Sequence, residues 1–275
     1  MLGKVLKYEM RSLAKPFLPL FGGFLAVTLL CKLSFEAASA NVVRADILDL
    51  VSVMFGVLYG IYVVALFVMS AVFIVTHFYR TMAGTRGYLS HTLPVKTGTL
   101  IHAKLLAALI WPVIACLVLA FSVVVFALGH VSFGELGMAA AEFFKIMGEL
   151  LTELFTGPVS QLVNMPLLTV ELILCVIAEL LSFPLMVYAS IAIGQLFLKR
   201  RVLWSVASYF GMYILLQIIC TFFIGYIGHG NYASPEGNAL FVNRFMFFMT
   251  AVNVLSVTAY YLITRYIFSK KLNLE

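Results

Sequence analysis

The chain has 275 residues, of which 63% are hydrophobic and only 11% charged, and it carries a formal net charge of +6. Its mean hydropathy is +1.06, whereas soluble domains carry roughly 25% charged residues. This composition excludes a soluble globular enzyme and points to an all-α polytopic membrane protein. The positive balance therefore reads as a topology signal rather than a nucleic-acid footprint.

Residues 1–16 open the chain. Leu2, Val5, Leu6, Met10 and Leu13 recur at helical spacing, with Lys4, Lys7, Tyr8, Arg11 and Lys15 on the other side. The pattern predicts an amphipathic helix with a cationic face, suited to the membrane interface. Pro16 and Pro19 follow, where an elbow into the membrane is expected. The small-residue run Ala38-Ser39-Ala40 has a signal-cleavage look. The apolar run before it is nonetheless long enough to span, which favours a retained first helix.

Six apolar segments reach the roughly 20 residues that a span needs. They lie at about 17–35, 50–79, 105–129, 167–198, 202–228 and 244–267. The chain is expected to be a single transmembrane domain, 1–275. Gly22-Gly23 and the Gly56/Gly60 pair offer small surfaces for helix packing. Between the third and fourth spans, Phe143, Met147, Leu150, Leu151 and Leu154 alternate with Glu135, Glu142, Glu149 and Glu153. An outer amphipathic helix is predicted there.

Charge sets the expected orientation. With the N-terminus inside, the inner segments hold Lys4, Lys7, Arg11, Lys15, Arg80, Arg86, Lys96, Lys104, Lys199, Arg200, Arg201, Arg265, Lys270 and Lys271. The outer ones hold only Lys32, Arg44, Lys145 and Arg244. Six spans with both termini inside follow from that bias.

Residues 80–104, RTMAGTRGYLSHTLPVKTGTLIHAK, form the organising turn. It is basic, contains no acid, and has an apolar centre that a plain solvated loop does not need. Arg86, Tyr88, Leu89, Leu93, Val95 and Lys96 are the candidate docking residues. Thr97 or Thr99 is expected to cap the helix that follows. Arg80 and Lys104, nearest the bilayer, are candidates for headgroup contact.

Within the spans, only Glu171 and Glu179 are strong ionisable candidates for a substrate path or proton site. Glu179 lies about 12 Å further along the helix than Glu171 at 1.5 Å per residue. Glu171 is expected near the outer boundary; Glu179 is expected inside the bundle, protonated or hydrogen-bonded. Cys31, Cys116, Cys175 and Cys220 are scattered through apolar runs, and neither they nor the five histidines have metal-site spacing. The chain has no GxxxxGK[ST], GxSxG or HExxH. It therefore reads as a non-enzyme that binds no cofactor or metal itself.

Three stretches carry a resemblance: MLGKVLKYEMRSLAKPFLPL, RGYLSHTLPVKTGTLIHAKLLAALIW and YASIAIGQLFLKRRVLWSVASYFGMYILLQII. Together they resemble the permease subunits of ABC-2-type transporters of the Gram-positive (Firmicutes) type, similar to antibiotic-peptide export and resistance permeases. The resemblance implies six spans per subunit, an amphipathic helix before the first, and a coupling helix between the second and third that rests on an ATPase. It implies partners: ABC ATPase subunits that hold ATP and Mg, and a second permease copy or a sibling. It also implies export of a peptide, lipid or drug across the bacterial plasma membrane. The segment 229–243 departs from the family pattern, being too short for the hairpin that many members carry between spans five and six. Membrane lipids are expected neighbours, nucleic acid is not. The competing reading is a non-transporting immunity or sensor subunit that binds a peptide or lipid, and a third is proton-coupled transport through Glu179.

Overall fold

The structure is a computed structural model that describes residues 2–39, 45–84, 87, 95–128, 133–156, 164–197, 199–228 and 235–270. These residues are helical throughout, with short turns. In chain order the helices are α1 (Leu2–Ser39), α2 (Ala45–Phe78), α3 (Thr97–Ala127), α4 (Phe133–Thr156), α5 (Met165–Gly194), α6 (Arg201–Gly228) and α7 (Pro235–Lys270). A π-helical turn, Tyr79–Ala83, extends α2. Six helices, all but α4, are long and apolar enough to cross a membrane. The chain is a multi-pass membrane protein.

α1 runs through Pro16 and Pro19 as one helix. The elbow expected there does not interrupt the helix, because each proline removes one backbone donor and a long helix with partners on one side tolerates that loss. Its buried positions are Leu13, Phe17, Phe21, Phe24, Thr28 and Cys31. Their spacing of three and four draws a single seam along the helix. Lys4, Lys7, Tyr8, Arg11 and Lys15 are exposed on the other side.

Two compact units divide the chain: Met1–His77 with His102–Ala141, and Phe78–Ile101 with Glu142–Glu275. In the first, the α1 seam meets aromatic rings from α2 and α3. Phe17 stacks on Trp111 at 4.5 Å and takes the edge of Phe73 at 5.5 Å. Phe24 stacks on Tyr59 at 5.6 Å. The Tyr59 hydroxyl shares a 2.8 Å hydrogen bond with Ser122 Oγ, which gives a buried polar group its partner. Gly23 makes room here for the Tyr62 hydroxyl, which a Cβ would push aside. The Gly56/Gly60 pair plays no such part. A Cβ at Gly56 meets Phe35 at an ordinary 3.8 Å, and one at Gly60 meets nothing within 4 Å.

In the second unit, α5 packs against α6 and α7. Residues 184–192 of α5, PLMVYASIA, are buried without a break. Tyr188 stacks on Phe78 at 3.6 Å, and Phe268 of α7 meets the same ring edge-on at 5.9 Å. Phe223 of α6 stacks on Phe248 of α7. Gly194 lies where α5 and the first turn of α6 touch. A Cβ there would meet the Arg201 carbonyl oxygen at 2.7 Å and the Ser205 backbone nitrogen at 2.8 Å, so only glycine fits. By contrast, every described side chain of α4 is exposed.

Candidate functional site

The most distinctive polar arrangement lies in the first unit, and three separated stretches of sequence build it. Glu9 sits on the α1 seam, four residues before Leu13 and eight before Phe17, so helical phase turns it inward. Lys104 holds the matching place on α3, four residues before Ala108 and seven before Trp111, both buried. His77 is in the last turn of α2. Lys104 Nζ donates to Glu9 Oε1 at 2.6 Å, and His77 Nε2 lies 2.5 Å from Glu9 Oε2. The Lys104 side chain is 1% exposed, Glu9 13% and His77 15%.

Each carboxylate oxygen therefore has its own partner on a different helix. Burying a charge is tolerated when geometry of this quality offsets the lost hydration. The arrangement ties α1 at once to the end of α2 and the start of α3, the two helices that flank the basic turn. Chemically it is a clasp that fixes helix positions.

Lys104 thus does not take up the headgroup contact expected for it, because its ammonium is turned into the protein and neutralised by Glu9. Of the docking residues on the turn, Arg86, Tyr88, Leu89 and Leu93 lie outside the described residues. Val95 is half-buried and Lys96 exposed. The Lys96 carbonyl accepts from Thr99 N at 2.8 Å and Leu100 N at 3.3 Å, so Lys96 holds the N-cap position of α3. Thr97 is already helical and Thr99 lies inside the first turn, and neither is the cap residue.

The two span glutamates differ in burial. Glu171 is buried at 8% exposure, and its backbone carbonyl accepts from Thr250 Oγ1 of α7 at 3.2 Å. Glu179 is exposed. Eight residues at about 100° each leave the two side chains about 80° apart around the helix. Glu171 shares the buried seam of Ala178, Leu185 and Ala192, and Glu179 falls beside it. Among the described residues no group of His, Cys, Asp and Glu could hold a metal ion.

No protein-family model matches the chain, and neither a curated protein nor a solved structure matches it.

Proposed function

We propose that the chain is the membrane-spanning permease subunit of an ATP-driven ABC exporter in the bacterial plasma membrane. A separate ATPase binds ATP and Mg, and a second permease copy or a sibling completes the assembly. The observation that carries this reading is the Glu9–Lys104–His77 clasp. A transmitting turn needs stiff exits, and α2 and α3 are continuous helices on either side of residues 80–104. Glu9 joins both of them to α1. Force applied at the turn would then move three helices together rather than one loop.

Other features support the same reading. The basic residues concentrate in the segments that an inside N-terminus makes cytosolic. The first turns of α1, with exposed Lys4, Lys7, Arg11 and Lys15, supply a cationic face for the membrane interface. The helix α4 lies on the outer surface. The exported substrate is a peptide, lipid or drug, and Tyr88, Leu89, Leu93 and Val95 form the apolar contact with the ATPase, flanked by Arg86 and Lys96.

The test is co-purification of the chain with a cognate ABC ATPase, with hydrolysis measured in the reconstituted complex. Replacing Tyr88, Leu89 and Leu93 together by Asp should abolish both association and stimulated hydrolysis. Intact assembly and activity in that variant would remove the coupling assignment. The sensor or immunity reading draws on α4, whose apolar side chains are exposed. It predicts peptide or lipid binding without ATP-dependent flux.

A further inference from the structure

The turn between α5 and α6 has features that the proposed coupling role does not use. Its residues are Gln195 to Arg200, and α6 begins at Arg201. Lys199 and Arg200 are both exposed, and no acid pairs with either among the described residues. Beside them an open groove of about 660 Å³ is lined by Arg200, Val202, Leu203, Val206 and Ala207. The groove is apolar except for the guanidinium at its end. Its walls are the first two turns of a membrane-crossing helix.

The start of α6 adds to what chemistry fits. The first backbone N–H groups of α6 have no carbonyl one turn earlier to bond, and the helix dipole adds positive potential at that end. Trp204, partly exposed, stacks on Phe197 at 4.3 Å beside the turn, and such rings are common at membrane–water interfaces. A water-soluble anion would use the cations and leave the groove empty. A neutral lipid would fill the groove and leave two cations unmatched.

We propose that the α5–α6 turn is a binding site for one anionic phospholipid, in the leaflet that this turn faces. The phosphate sits at the start of α6 against Lys199 and Arg200. An acyl chain lies along Val202, Leu203, Val206 and Ala207. The site needs neither an ATPase nor a transported substrate, so it stands apart from the permease reading.

Native mass spectrometry of the purified full chain tests this, with phosphatidylglycerol and phosphatidylcholine of equal chain length as probes. Wild type should retain phosphatidylglycerol preferentially. Arg200 has φ of 56°, a left-handed conformation that glycine adopts without strain, so Arg200→Gly removes charge while keeping the turn. Combined with Lys199→Gln it should lower the preference by about tenfold to thirtyfold, given the usual contribution of a basic residue at an anionic surface. Lys4→Gln with Lys270→Gln removes the same charge elsewhere and should leave the preference intact. Val206→Trp, which fills the groove, should weaken retention of phosphatidylglycerol even with both cations present. Equal losses in the two charge variants would overturn the site in favour of diffuse attraction. Displacement of the lipid by millimolar inorganic phosphate, or undiminished retention in Val206→Trp, would overturn the acyl-chain half.

Discussion

The foot of α1 and the middle of α5 treat a carboxylate in opposite ways. Glu9, near the start of α1 where water is close in sequence terms, is turned inward and bonded on both oxygens. Glu179, midway along a membrane-crossing helix, is exposed. Depth along a helix and burial are therefore independent coordinates. The first follows from counting residues along a span; the second depends on the angle around the helix and on what lies opposite. Glu9 shares a seam with Leu13, Phe17 and Phe24 and faces a lysine. Glu179 lies off the seam that carries Glu171, Ala178 and Leu185.

The strongest way to break this contrast is to remove one side of the clasp. Glu9→Ala leaves the Lys104 ammonium buried without its counter-charge and should cost about 3–5 kcal/mol. Unfolding titrations in mixed micelles would read that loss. The paired replacement Glu9→Gln with Lys104→Met should recover most of it, since removing both charges also removes the desolvation penalty. Gly194→Ala comes next, at about 1–3 kcal/mol, because its new methyl group must push the backbone of α6 away. The same unfolding assay applies, and an unchanged midpoint would deny the close approach. His77→Phe should cost about 1.5–3 kcal/mol, because the bond it removes ends on an ionised carboxylate. Thr250→Val, which removes the bond to the Glu171 carbonyl, should cost about 1 kcal/mol. Glu179→Gln should be smallest, within about 0.5 kcal/mol, as for other exposed positions away from packed features. A large loss there would place Glu179 against a partner helix.

Much of the fold is legible in the sequence because the physics is coarse. A run of twenty apolar residues has few alternatives in a membrane. The site is less legible. Glu9 is the only acid before Glu36 and stands among Lys4, Lys7, Arg11 and Lys15, so by composition it looks like part of a solvated face. Its phase relative to Leu13 and Phe17 is the signal that would have found it. Its partner is 95 residues away, and no local pattern links the two. Lys104 is similar: placed at the end of a basic turn it reads as a headgroup ligand, whereas its phase with Ala108 and Trp111 turns it inward. Pro16 misleads in the other direction, since a proline that would end an isolated helix is accommodated within α1. The Gly56/Gly60 pair matches a packing motif without any close neighbour, while Gly194, in no motif at all, is where two helices touch.

The central claim is that the clasp carries movement between the turn and α1. The direct measurement is stimulated ATP hydrolysis by the ATPase proposed as its partner, in nanodiscs, comparing wild type, Lys104→Glu, and Lys104→Glu combined with Glu9→Lys. The single variant places two carboxylates together and should lose stimulation while still binding the ATPase. The charge-swapped double variant should regain a large share of it. Full stimulation in the single variant, at a temperature where it remains folded, would contradict the account.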